Sequence, residues 1–186
     1  RGIHKNVRVG NRVRTAVDVI VNSAVHDIHS ARWFLKDDVS VVYANHIIDV
    51  PERPETARFV LLQMKFRGGG LATIEVDADS YGYEVNVDIS GKKARLQTPS
   101  LTSPFIYRDN TSSRVVEFDA LVRFKLAYVL EAEAWVNATL GGKVTGASVW
   151  DGYAAMQVAY AAARSLDSGR PELVIEEARP EIYDPK

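Results

Sequence analysis

The sequence predicts an α+β domain: a predominantly antiparallel, open β-sheet with helices packed on one face. Two observations carry this. Between residues 39 and 98 the chain reads as four or five successive strands of period two, punctuated by Pro and Gly, and segments of helical period lie before and after that block. The 186 residues, 46% of them hydrophobic, suffice to bury one full core, so residues 1–186 are expected to form a single domain.

Each element has a local cause. Gly2-Ile3-His4 reads as the tail of a strand, and His4 and Asn6 share a side because alternate strand residues do. Around residues 22–35 the spacing of Val21, Val25, Ile28 and Leu35 predicts a helix with an apolar side and a polar stripe. Segments 39–50 and 57–66 are rich in β-branched and apolar residues, and Pro51 and Pro54 part them. Gly68-Gly69-Gly70 supplies a tight turn into 71–78, where Ala72, Ile74 and Val76 alternate with Thr73, Glu75 and Asp77. The alternation continues with Tyr81, Tyr83, Val85, Val87 and Ile89 on one face and Glu84, Asn86 and Asp88 on the other. Gly91-Lys92 then turns the chain into 94–98.

The second half is helical with a loop before it. Ser, Thr, Pro and Asn mark 101–113 as a loop, helical period returns over 115–140, and Gly141-Gly142 stops it. Asp151 suits the N-cap of a helix over 152–167, with Gly169 at its C-cap and Pro171 beyond. Residues 173–178 alternate again as an edge strand, and 180–186 read as a tail. The sheet face carrying Thr73, Glu75, Asp77, Asn86 and Asp88 is left uncovered, and a symmetric pairing of two such faces is expected to build a homo-oligomer, a dimer or tetramer.

Composition excludes several partners. A net charge of −1 with interspersed signs gives no electrostatic support to nucleic acid or acidic lipid. With no cysteine there are no disulfides, thiolate metal sites or cysteine nucleophiles. No apolar run reaches the roughly 18 residues of a membrane span, and the opening residues lack a signal-peptide core, so a soluble, cytoplasmic protein is expected. Gly141-Gly142-Lys143 lacks the flanks of a phosphate loop, and no Gly-x-Gly-x-x-Gly follows a strand. His26, His29 and Asp27 do not form a metal set, because His26 and Asp27 point about 100° apart on a helix. Ser23 beside His26 lacks the elbow and oxyanion glycines of a hydrolase.

The polar stripe of the first helix remains. Asn22 and His26, four apart, stack on one helical face and can converge on one bound group. His4 and Asn6 can hydrogen-bond a polyhydroxylated ligand, or else cap a strand end at the surface. On these residues alone, a lone His on such a helix is more often structural than catalytic.

Taken in order, His4-Lys-Asn6, Asn22-Ser-Ala-Val-His26-Asp-Ile, Ala31-Arg-Trp33-Phe-Leu35, Tyr81-Gly-Tyr83-Glu and Trp150-Asp-Gly-Tyr153-Ala-Ala resemble the carboxyl-terminal domain of the Gfo/Idh/MocA oxidoreductases. The likeness runs collinearly through nearly the whole chain, to Arg179-Pro-Glu-Ile-Tyr183, and is greatest to the inositol dehydrogenases. The resemblance implies the sheet domain of the glyceraldehyde-3-phosphate dehydrogenase-like type. It also implies an enzyme that oxidises a hydroxyl of a cyclic polyol or sugar to a ketone with NAD or NADP. The cofactor would be held mainly by an amino-terminal Rossmann domain absent from this chain, which would also bring the Lys of a Glu-Lys-Pro segment to the reacting carbon. The missing Met before Arg1 and the missing glycine fingerprint suit that expectation, and the isolated domain is expected to be inactive.

By the same resemblance His26 is the acid/base with Asn22 beside it, and His4, Asn6, Ser23 and Tyr83 are substrate ligands. Relatives that oxidise inositol commonly carry Asp four residues before the His, so Asn22 keeps hydrogen-bonding capacity and loses the charge. An aromatic residue common before the Arg-Phe…Ala-Tyr helix is replaced by Asp119-Ala120. The alternative expectation is a non-catalytic polyol-binding or assembly module.

Overall fold

The computed structural model describes residues 1–5, 13–98, 103–175 and 177–183. Nine strands are described in chain order: β1 (Gly2–Lys5), β2 (Val39–Ile47), β3 (Phe59–Phe66), β4 (Leu71–Asp77), β5 (Glu84–Ser90), β6 (Arg95–Gln97), β7 (Phe105–Arg108), β8 (Thr111–Arg114) and β9 (Glu172–Leu173). The helices are α1 (Ala16–Val19), α2 (Val25–Leu35), α3 (Ala120–Arg123), α4 (Lys125–Leu140) and α5 (Val149–Ser168), with a π turn, Ile20–Ala24, joining α1 to α2 without a break. Seven strands form one open sheet in the order β6-β5-β1-β4-β3-β2-β9, and β7 pairs with β8 alone.

The α+β architecture with one covered sheet face is as expected. The buried residues alternate along the strands, Val60, Leu62, Met64 and Phe66 on β3 and Ile74 and Val76 on β4, and they meet Val19, Ile20, Ala24 and Ile28 of the first helical stretch. The alanines of α5 (Ala154, Ala155, Ala159, Ala161, Ala162) let its backbone lie close against β2. A register shift between Val39 and Val41 puts both Val39 and Val42 into the core. On the opposite face Arg1 pairs with Glu75 at 2.9 Å, Lys5 with Glu84 at 2.7 Å, and Arg95 with Asp88.

Five local expectations are corrected. The strands do not follow one another as a simple meander, because β1 lies between β4 and β5, parallel to the first and antiparallel to the second. The short run 1–5 carries too little pattern to place itself. Within the expected loop 101–113, Phe105-Ile-Tyr-Arg pairs with Thr111-Ser-Ser-Arg across Asp109 and Asn110, both at positive φ (51° and 59°), the backbone a two-residue hairpin needs. The expected helix 115–140 starts only at Ala120, capped by the Asp119 carboxylate on the Leu121 N–H, and breaks at Phe124. Ser148, not Asp151, caps α5: its hydroxyl accepts from the Asp151 N–H while the Asp151 carboxylate accepts from the Ser148 N–H. The edge strand shrinks to Glu172–Leu173, paired with Val41 and Val42, and a 3₁₀ turn, Glu181–Tyr183, forms in the expected tail.

The covering helix α5 is tied to the sheet by one fully buried hydroxyl. Ser165 Oγ accepts from the Ala44 N–H at 3.0 Å and donates to the Arg170 carbonyl at 2.6 Å. Ser165→Ala strands a donor and an acceptor in the core and is expected to cost about 2 kcal/mol. In urea denaturation, Ser168→Ala at the exposed end of the same helix should fall within about 0.5 kcal/mol of the parent.

Candidate active site

The first helical stretch is capped at Thr15, whose hydroxyl accepts from the Asp18 N–H while the Asp18 carboxylate accepts from the Thr15 N–H. The regular α1 then widens into the π turn. Such a turn inserts one residue and rotates the side chains after it about the helix axis, a device frequent at functional sites. Its inner side is fully buried at Ile20 and Ala24, while Asn22 on the turn and His26 just after it are exposed. The Asn22 amide donates to the Asp18 carbonyl at 2.8 Å, one turn back, rather than to the imidazole. The His26 ring has no partner among the described residues.

The other predicted residues lie deeper. Ser23 is 4% exposed, in contrast to Asn22 and His26. His4 is 5% exposed, and its Nδ1 lies 3.0 Å from Asp27 Oδ2. Asp27 is itself 7% exposed on the inner side of α2. The Tyr83 ring stands edge-on to His4, with centroids 5.5 Å apart and planes at 83°, and edge-on to Phe124 at 6.0 Å. Asn6 lies outside the described residues.

Tyr83 is held there by its own turn. Gly82 sits at φ 84°, and a Cβ on it would come within 2.0 Å of Val116 Cγ1, so only glycine lets residues 116–117 cross so closely. The Tyr83 N–H then donates to the Glu117 carbonyl at 2.6 Å. Burial raises the Tyr83 hydroxyl above the ordinary phenol value, with the nearby Asp27 carboxylate and Tyr128 pushing the same way and Arg123 opposing. The hydroxyl therefore stays protonated, a donor as well as an acceptor, through neutral pH.

His4, Asp27 and Tyr83 thus form one cluster beneath the helix, and Asn22 and His26 lie bare on its outer side. A cavity of about 290 Å³ lies between α2 and the sheet, lined by Gly2, Asp27, Ala31, Phe34, Ile74 and Val87 among others. Another, of about 720 Å³, opens between the ends of α2 and α5 at Arg32, Trp33, Asp38 and Asp151. His26 lines neither; it presents a surface. Among the described residues no three His, Asp or Glu side chains gather as metal ligands, and no helix is long and apolar enough to cross a membrane.

Asp27 is the residue that spacing missed. It stands next to His26 but about 100° around the helix, so a pattern search for the outer stripe passes over it. The available signal was an acid on the apolar side of an amphipathic helix, which demands a buried partner.

A family model described as "Oxidoreductase family, C-terminal alpha/beta domain" matches residues 13–174. The inositol 2-dehydrogenase of Rubrobacter xylanophilus is 37% identical over 186 residues, covering 98% of this chain and 53% of that protein. The inositol 2-dehydrogenase of Streptomyces avermitilis is 34% identical over 185 residues, covering 97% and 53%. The fold superposes, with a TM-score of 0.87 at 24% identity, on the crystal structure of myo-inositol dehydrogenase from Lactobacillus casei in complex with NAD(H) and myo-inositol, covering 99% of this chain and 56% of that one. The chain spans about half the length of the curated relatives it matches. With 162 consecutive positions under the family model and a curated relative above one-third identity, the chain belongs to the Gfo/Idh/MocA oxidoreductase family as its carboxyl-terminal α/β domain.

Proposed function

We propose that this chain is the substrate-binding, base-carrying domain of an NAD(P)-dependent dehydrogenase that oxidises one hydroxyl of a cyclic polyol of the inositol class to a ketone. The observation that carries the reading is the His26 imidazole, exposed and without a partner among the described residues, beside a π turn in a domain whose curated relatives are inositol 2-dehydrogenases. An imidazole titrates near neutral pH and can take the hydroxyl proton as hydride departs, so that charge does not accumulate on oxygen. His4, Asn6, Ser23 and Tyr83 would hold the remaining hydroxyls.

NAD(P), when bound, supplies the hydride acceptor. Among the described residues Gly68-Gly69-Gly70 belongs to the β3–β4 turn and Gly141-Gly142 ends α4, so neither glycine cluster is a phosphate cradle. On this proposal the nucleotide falls to an amino-terminal Rossmann domain, whose surface would close a second wall over His26.

A second reading, a non-catalytic polyol-binding or assembly module, is favoured by one observation. Asn22 carries no charge to stabilise an imidazolium, and its amide is turned to the Asp18 carbonyl. The two readings part on NAD(P)H formation from myo-inositol by the protein with its nucleotide-binding domain. His26→Ala should lower kcat by about 10² or more with cofactor binding intact, and unchanged turnover removes His26 from the mechanism. Asn22→Asp places a carboxylate one turn before the imidazole and should raise kcat only if the protein forms NAD(P)H at all.

Tyr83 supplies a pH test. Its folded-state value lies above the ordinary 10.0, so the stability it contributes is complete below that pH and is lost as pH rises through the folded value. Tyrosine-labelled NMR should find the Tyr83 phenolate appearing last among exposed and half-buried tyrosines. Tyr83→Phe should raise KM for the polyol by about 3- to 10-fold, the worth of one hydrogen bond.

The uncovered sheet face and α4, none of whose residues is buried although Leu126, Leu130, Trp135 and Leu140 are apolar, are read as surfaces for further copies of the same chain. Leu61→Lys places a charge amid the open face beside Asn45 and Glu75. Sedimentation equilibrium should show an oligomer that this substitution weakens, and a parent protein that is monomeric at tens of micromolar overturns the reading.

A further inference from the structure

We propose that the lane between β4 and β5, alongside α2, seats the extended segment that runs into Arg1 in the whole protein. Strand β1 then continues backwards as a longer central strand, and its first inward side chain fills the cavity under α2. This rests on the proposed amino-terminal domain, which supplies the segment.

The register defines the lane. Gly2 of β1 lies opposite Ile74 of β4 on one side and Val87 of β5 on the other. Strand β4 begins earlier, at Leu71, and β5 runs further, to Ser90. Both stretches are paired on their outer sides, 71–73 with 63–65 of β3 and 88–90 with β6. Their inner sides stand about two strand spacings apart, about 9.5 Å, which is room for one strand between them. The cavity of about 290 Å³ lies in this lane: 71–74 line one side, 87–90 the other, and Ala31, Phe34 and Leu35 of α2 cover it. Phe34, Leu35 and Leu71 are 37%, 39% and 77% exposed around it, apolar surface that a seated strand would cover.

One hydrogen-bonded pair sets the direction. The Arg1 amino nitrogen donates to the Asp88 carbonyl at 2.9 Å, and the Asp88 N–H donates to the Arg1 carbonyl at 2.9 Å. Such pairs recur at every second residue of an antiparallel ladder, so Ser90 turns its N–H and carbonyl to the same lane. The side chains alternate as well. A Cβ on Gly2 would lie 3.6 Å from Asp27 Oδ1 and 4.0 Å from Ile74 Cγ1, which places Gly2 on the helix side, whereas Arg1 reaches Glu75 on the open face. The residue directly before Arg1 therefore faces α2 again, between Ala72 and Ile89 and under Ala31 and Phe34. An apolar side chain belongs there, because a charge would be buried without a partner. The curated relatives carry about as much chain again as this one covers, ample for such a segment. The joint between the two domains then lies in the middle of the sheet instead of at a free end.

Residue-level amide exchange in the protein with its amino-terminal domain tests this. The Ser90 amide is expected to exchange at least about 100-fold more slowly than that of Lys92 in the following turn, after correction for intrinsic rates. Equal exchange at the two, with the Asp88 amide protected, overturns the proposal. Protection that disappears on dilution to the monomer, or on removal of a small molecule seen by native mass spectrometry, puts a second copy or a ligand in the lane and overturns it too. Replacing the residue directly before Arg1 by Asp should lower Tm by about 5 °C or more, against less than about 2 °C for Arg1→Gln on the open face. An Asp tolerated there as well as Arg1→Gln is tolerated, or a charged residue or Pro there in the natural protein, overturns the proposal. If the Asp variant does not fold, exchange in the parent decides. A protein that makes no NADH from any polyol sinks the dehydrogenase reading and leaves the Ser90 result standing; with the amino-terminal domain present and Ser90 unprotected, this proposal alone falls.

Discussion

The seating of the first helical stretch governs what this domain can present to a ligand. Its inner side is sealed by Val19, Ile20, Ala24 and Ile28, all without solvent exposure, against β3 and β4. Burial of four such side chains is worth several kcal/mol and leaves no freedom of rotation about the helix axis. Both ends are fastened as well. Thr15 and Asp18 cap the start, and at the far end the Arg32 guanidinium reaches Asp38 Oδ1 at 3.1 and 2.7 Å and the Asp151 carbonyl at 3.3 Å. Arg32 thereby joins the end of α2 to the start of α5, and a buried guanidinium with these partners fixes one geometry.

A helix held this firmly can be irregular where function needs it. The π turn at Ile20–Ala24 gives up regular hydrogen bonding and directs Ser23 inward and Asn22 outward. Asn22 returns its amide to the Asp18 carbonyl, which keeps the widened turn satisfied. Below it, His4–Asp27 is the polar counterpart of the apolar seal, joining α2 to β1 across 23 residues of sequence. The site is built on regular elements rather than on loops, the arrangement that holds side chains most precisely.

Legibility in the sequence tracks how local the cause is. Strands β2 to β5 were readable because one buried face forces alternation, as in Ile74 and Val76 against Thr73, Glu75 and Asp77. The C-cap of α5 was readable because Gly169 takes φ 64°, a conformation that favours glycine. Ser148 is masked as a cap because Asp151 is also a capping type, and both serve in one box. The hairpin at 105–114 was hidden by its Ser and Thr content, which outweighed Phe105, Ile106 and Tyr107 and the Asp-Asn turn. The place of β1 depends on pairing with residues 72 to 85 positions away, which no local pattern encodes. The same holds for the site: the outer pair Asn22 and His26 is a spacing, whereas Asp27 to His4 is a contact between a helix and a strand.

An exposed imidazole is a poor base by itself. In open water a polyol hydroxyl competes with solvent for His26, and any charge that forms is screened rather than steered. The chemistry becomes effective only when another surface excludes water and fixes the reacting carbon at hydrogen-bond reach of the ring. On the proposed reading the fixed elements stand on the recognition side: a buried His4 beside Asp27 and a protonated Tyr83 with its own locked turn. The exposed element, on the same reading, is the base. A domain with a rigid recognition floor and an open catalytic edge is suited to hold a ring of hydroxyls in register until the nicotinamide-bearing half completes the cleft, which is how an exposed His26 accords with the dehydrogenase reading.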